Sequence, residues 1–140
     1  MIKLKIFSVG KTKETWLDEA FREYEKRLRG VMQIECHWAK DSRQLEEWVL
    51  KESSPICLDP AGQLFTSEQF AAFIEEAWNL GGSRLTIIIG GAEGLPKSLK
   101  KNNRLISLSP LTFTHQITRL VLIEQVYRAI EIFKGSKYNK

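Results

Sequence analysis

The chain has 140 residues, 43% of them hydrophobic and 27% charged, with a net charge of +4, enough for a single domain that buries roughly two-thirds of its unfolded surface. No segment approaches the ~18 apolar residues of a membrane span, and Met1-Ile2-Lys3-Leu4-Lys5 alternates like a strand with no signal-peptide core, so a cytoplasmic protein without a membrane partner is expected. Cys36 and Cys57 lack CxxC spacing, and neither His37 nor His115 belongs to a His/Cys cluster, which excludes a disulfide framework and predicts no metal.

In chain order, Ile2 to Val9 reads as a strand ended by Gly10. Glu14 to Arg29 follows with Leu17, Phe21, Tyr24 and Leu28 at helical spacing. Met32, Ile34, Cys36 and Trp38 alternate as a second strand. Asp41 or Ser42 can cap a helix carrying Leu45, Trp48 and Val49. Pro55 to Leu58 is a short third strand that leads into Asp59-Pro60-Ala61-Gly62, a turn by composition. Thr66 and Gln69 have capping-box spacing. They open a helix with Phe70, Phe73, Ile74 and Ala77 on one face, stopped by Leu80-Gly81-Gly82. Leu85 to Ile89 is a short apolar run of the kind buried on both faces of a sheet. It enters the glycine loop Gly90-Gly91-Ala92-Glu93-Gly94-Leu95, and a short basic helix starts near Pro96. Leu105 to Leu108 is a fifth strand, and a long helix runs from about Thr114 to Phe133. The alternation predicts one α/β domain over residues 1–140, a mostly parallel sheet with helices on both faces.

The last helix is apolar around most of its circumference, from Ile117 and Leu120 through Val126 to Ile132 and Phe133. Packing on a sheet needs only one stripe. This predicts a homodimer in which the helix packs on its own sheet and on a neighbour; the alternative is a central helix wrapped by its own chain.

Three loops, Leu58–Gly62, Gly90–Leu95 and Leu108–Phe113, belong at the carboxyl edge of the sheet, where open α/β folds bind ligands. The glycine loop has neither Gly-Lys-Ser/Thr nor Gly-x-Gly-x-x-Gly spacing. Apolar walls at Leu58, Leu95, Leu108, Leu111 and Phe113, with convergent main-chain groups, suit a purine nucleoside. No residue of these loops supplies a phosphate clamp, which favours an uncharged adenosine moiety over a triphosphate. Lys97, Lys100, Lys101 and Arg104 either form a phosphate-contacting rim or serve solubility.

Three blocks then stand out together: Gly90 to Leu95, Leu108 to Arg119, and Leu122-Ile123-Glu124-Gln125-Val126-Tyr127-Arg128-Ala129. With Val9-Gly10-Lys11 and Glu23-Tyr24 they make the chain resemble, end to end, the ribosomal RNA large-subunit methyltransferase H family of the SPOUT superfamily. The resemblance implies a SPOUT-type α/β knot: a five- to six-stranded sheet, a C-terminal trefoil knot and a homodimer. It implies S-adenosylmethionine as methyl donor and N3 of a pseudouridine, in a stem-loop of 23S rRNA within the assembled ribosome, as acceptor. It places the donor against Leu58, Gly90, Leu108, Ser109, Pro110, Leu111, Thr112 and Phe113.

N3 of pseudouridine carries a proton that must leave, so a base or a stabiliser of the developing anion is wanted. His115 either relays that proton or caps the final helix. Arg119, one turn on, either holds a phosphate or the base's charge, or makes a salt bridge to a neighbouring helix. Glu93 either orients target or donor or is an idle loop carboxylate, and Glu124 with Arg128 reads as an i, i+4 support pair. In the tail, Tyr138 can stack on a looped-out base while Lys137 and Lys140 meet phosphates and Asn139 hydrogen-bonds; a frayed end is the alternative. The family's tail usually reads Pro-Tyr-His followed by a basic residue and is associated with recognising the target nucleotide. Lys137 and Asn139 replace its proline and histidine here, and Thr114 stands where Pro often precedes the family's histidine. The competing functions are a ribosome- or RNA-binding factor that keeps the donor pocket without turnover, and a SPOUT enzyme with another RNA target.

Overall fold

The computed structural model describes residues 1–139. Strands and helices alternate without exception: β1 (Ile2–Val9), α1 (Thr15–Leu28), β2 (Met32–Ala39), α2 (Ser42–Val49), β3 (Ile56–Leu64), α3 (Ser67–Leu80), β4 (Arg84–Ile89), α4 (Lys97–Asn102), β5 (Arg104–Ser107) and α5 (His115–Lys134). The strands form one sheet in the order β2-β1-β4-β3-β5, and every pairing is parallel.

The period-two rule for strands sorts the core into two layers. Ile6, Ile56, Leu58, Ile87, Ile89 and Ile106 pack with residues of α1, α3 and α5. Phe7, Cys57 and Ile88 turn to the other face and meet Leu45 and Val49 of α2 and Leu95 and Leu99 around α4. β4 is apolar on both faces because it lies in the middle of this sandwich. The helix starts follow local chemistry. Asp41 accepts the Gln44 N–H at 2.9 Å, so Asp41, not Ser42, caps α2. Thr66 and Gln69 close a reciprocal capping box on α3.

Two sequence expectations are corrected. Asp59-Pro60-Ala61-Gly62 does not end β3, which continues to Leu64. Its turn chemistry survives locally, with Asp59 Oδ1 accepting the Ala61 N–H at 2.8 Å. The register against β5 slips in this stretch, so that Leu58 and Gln63 both pair with Ile106. Gly62 lies hard against that strand: a Cβ here would stand 2.7 Å from the Ile106 backbone. Pairing of Gln63 and Leu64 with β5 carries the strand past its turn composition, with an irregularity between Leu58 and Gln63. Second, β5 runs from Arg104 to Ser107, one residue earlier than its apolar run suggests.

α5 packs on the sheet with α1 and α3 on the same face. Leu122, Ile123, Val126, Ala129 and Ile130 are buried within this one chain, so much of the apolar circumference is explained by its own helices. Ile117, Leu120, Val121 and Ile132 remain partly exposed.

Candidate functional site

The loops after β4 and β5 and the β3 segment after Leu58 enclose a cavity of about 640 Å³, a size suited to a drug-sized ligand. Leu58, Ile89, Leu95, Leu108 and Phe113 supply apolar wall; Gly90 to Gly94, Ser107, Ser109 and Thr112 also line it. A Cβ on Gly90 would stand 2.6 Å from the Gly94 carbonyl carbon and 2.7 Å from the Leu95 nitrogen, so only glycine lets this loop fold back on itself. A Gly94 N–H to Gly91 carbonyl bond of 2.9 Å closes the turn.

The second loop is stiffened by its serines. Ser107 Oγ donates to the Ser109 carbonyl at 2.9 Å, and Ser109 Oγ accepts the Leu111 N–H at 3.0 Å. Pro110, expected at the donor, is exposed and absent from the wall; Leu58, Gly90, Leu108, Ser109, Leu111, Thr112 and Phe113 all border the cavity. Asp59 and Ser107 border it too and were not singled out from sequence. Asp59 is paired with Lys100 Nζ at 3.3 Å; the only hint of its role was its place in a loop at the strand's end. Arg104 leaves the basic cluster: it lies at the amino end of β5, stacked over Phe73.

Thr114 Oγ1 accepts the Ile117 N–H at 3.2 Å. Thr114 is therefore the cap of α5, which frees His115, the first helical residue, to face the cavity. Burial, with Arg119 and Lys13 nearby, lowers the His115 pKa below its ordinary value, favouring the neutral imidazole. Glu93 also borders the cavity but is exposed.

Arg119 is not part of the wall. It is 1% exposed and bonds Ser8 Oγ, the Val9 carbonyl and Thr12 Oγ1 at 2.8–3.2 Å, so neither a salt bridge nor a cavity contact describes it. Burial lowers its pKa to about 10, leaving it charged at neutral pH. Cys36 and Cys57 are pushed up to about 12 by burial, so their thiols stay protonated and unreactive.

The tail folds back on α5. Tyr138 packs edge-on against Tyr127 at 4.8 Å, and Arg128 lies 4.8 Å over its ring. Asn139 accepts from Arg128 and donates to Glu68, while Arg128 pairs with Glu124 at 2.9 Å. Lys137 is exposed beside them; Lys140 lies outside the described residues. Tyr138 thus sits beside Tyr127, about 18 Å along the helix axis from His115. One chain does not bring the tail and the cavity together.

Among the described residues no three His, Cys, Asp or Glu side chains gather as a metal site, and no helix is long and apolar enough to cross a membrane.

The family model described as "Predicted SPOUT methyltransferase" matches residues 2–139, and the chain belongs to that family. Within it, the chain is 68% identical over the full length of both proteins to a ribosomal RNA large subunit methyltransferase H of Protochlamydia amoebophila. It is 39% identical, covering 99% of this chain and 96% of the relative, to the protein of the same name from Prochlorococcus marinus. It is therefore a member of the ribosomal RNA large subunit methyltransferase H group. A probable methylase family protein from Haemophilus influenzae shares the fold at a TM-score of 0.60 and 13% identity, covering 99% of this chain and 70% of that one. TrmJ from Z. mobilis does so at 0.54 and 11%, covering 92% and 70%.

Proposed function

We propose that this chain transfers a methyl group from S-adenosylmethionine to N3 of a pseudouridine in 23S rRNA, on the assembled ribosome in the cytoplasm. The observation that carries the proposal is one cavity at the carboxyl edge of the sheet, built from the glycine loop, the Leu108–Phe113 loop and Leu58, with His115 on its wall. Membership in a group whose relatives bear the rRNA large-subunit name supports the substrate class.

The cavity fits the donor chemically. Apolar side chains can sandwich an adenine ring, and the backbone of Gly90–Gly94 approaches without a side chain between. When bound, S-adenosylmethionine supplies a methyl carbon already activated by its sulfonium, so the protein mainly aligns and excludes water. Leu58, Gly90, Leu108, Ser109, Leu111, Thr112 and Phe113 would hold the donor, with Pro110 shaping the same loop from outside. His115, neutral at pH 7, accepts the N3 proton as the N3–methyl bond forms; the other product is the neutral thioether.

The reading includes one domain over residues 1–140, a C-terminal knot, and a homodimer through α5. The residual exposure of Ile117, Leu120 and Val121 supports a paired helix. In this reading an antiparallel pairing of two α5 helices would bring the tail that carries Tyr138, Lys137, Asn139 and Lys140 in one copy toward the cavity of the other, in keeping with the roughly 18 Å separation within one chain. Mass spectrometry of rRNA from cells with and without the gene tests the activity. Loss of one N3-methylpseudouridine on deletion is the expected result; an unchanged modification profile overturns it in favour of a binding factor, and loss of a different methyl group points to another RNA target.

A further inference from the structure

The turn between β1 and α1, Val9 to Lys13, contributes nothing to the cavity wall, yet a buried charge is committed to it. The Arg119 guanidinium donates to Ser8 Oγ at 3.0 and 3.2 Å, to the Val9 carbonyl at 2.8 Å, to the Gly10 carbonyl and to Thr12 Oγ1 at 3.1 Å. It also lies 4.1 Å over the Trp38 ring and donates to Gln116 Oε1 at 3.3 Å. Gln116 in turn donates to the Lys11 carbonyl at 3.1 Å. Every one of these acceptors is neutral, and among the described residues no carboxylate pairs with Arg119. A guanidinium buried without a counter-charge is costly. What it does here is fix the turn against the start of α5, next to His115.

The outer side of the same turn carries Lys11 and Lys13, both exposed and neither in an ion pair among the described residues. Trp16, at the beginning of α1, is 55% exposed. Free cations interleaved with an exposed ring, held rigid beside a catalytic cavity, have the chemistry that meets a nucleic-acid backbone. We infer that the β1–α1 turn is an RNA docking element: Lys11 and Lys13 contact phosphates flanking the target nucleotide, and Arg119 is a positioning residue that holds the turn in register with His115. This deepens the rRNA reading of the same cavity and rests on it.

The test is direct binding to purified ribosomes at several salt concentrations, with methylation followed in parallel. For Lys11→Ala/Lys13→Ala the ribosome Kd rises about tenfold and the slope of log K against log salt falls by one to two units. Affinity for S-adenosylmethionine stays within twofold, and methylation shows a raised KM with little change in kcat. Arg119→Met reproduces the KM effect without loss of donor affinity, and Arg119→Lys recovers part of it. An unchanged Kd and salt slope in the double-lysine variant overturns the docking assignment, even where methylation proceeds. Salt-dependent ribosome binding that falls with the lysines, in a protein that methylates nothing, supports the docking element and removes the enzymatic reading instead.

Discussion

Gly90 shows how one missing side chain shapes the site. Its absent Cβ would meet the backbone of Gly94 and Leu95 below 3.0 Å, and backbone cannot give way as a flexible side chain can. Gly90→Val should therefore open the loop, raising the Kd for S-adenosylmethionine at least tenfold in calorimetry and costing about 1–3 kcal/mol of stability. Donor affinity equal to wild type would place the ligand elsewhere. His115 makes a second residue-scale prediction. Its pKa is lowered, chiefly by burial, so the protonated form is the disfavoured one and the neutral base persists as pH falls. The acidic limb of kcat should lie below the usual histidine value of about 6.5, and His115→Gln should abolish that limb while lowering kcat about a hundredfold. A limb above pH 7, or one that survives the substitution, excludes His115 as the proton acceptor. The wall residues were legible because strand ends and glycine-rich loops point to one edge of a parallel sheet. Arg119 was not, because its acceptors Ser8, Val9 and Gly10 lie more than a hundred positions earlier in the chain, and no local pattern announces a buried arginine without a carboxylate.

Elements whose ends are set by short-range chemistry agree with their sequence signals, and those set by a distant neighbour depart from them. Thr66 with Gln69 marks the start of α3 through bonds three residues apart. β3 departs because Gln63 and Leu64 pair with β5, a contact more than forty residues away that carries the strand past an Asp-Pro-Ala-Gly turn composition. α5 shows both effects. Its cap is local, and Thr114 takes it where the family's usual proline would supply no side-chain acceptor. Thr114→Ala should cost about 1 kcal/mol in urea denaturation and, because His115 is the next residue, should lower kcat more than it weakens donor binding. A stability loss with kcat untouched would show that the cap and the position of His115 are independent. The circumference of α5 depends on distant neighbours: its apolar residues predict a second partner, and α1 and α3 of the same chain supply much of it.

At the scale of the whole molecule, the cavity and the tail stand at opposite ends of α5. His115 opens the helix, and Tyr138 is held near its far end by Tyr127, Arg128 and Asn139. A base stacked on Tyr138 cannot also present N3 at the cavity of the same chain across about 18 Å. If the active unit is a two-fold dimer with antiparallel α5 helices, each reaction centre draws its cavity from one copy and its tail from the other, and the two functions can be supplied by different chains. His115→Gln and Tyr138→Ala are then each strongly impaired as homodimers for separate reasons. Unfolded together and refolded as a mixture, half of the dimers are mixed, and each mixed dimer holds one centre with both an intact His115 and an intact Tyr138. The mixture should regain about a quarter of wild-type methylation, while the separate proteins stay at their residual level. If each chain served itself, no mixture could recover activity. A mixture that stays at the residual level, its mixed dimers demonstrated by mass, would therefore rule out the shared centre and require the tail to swing the length of α5 within one chain.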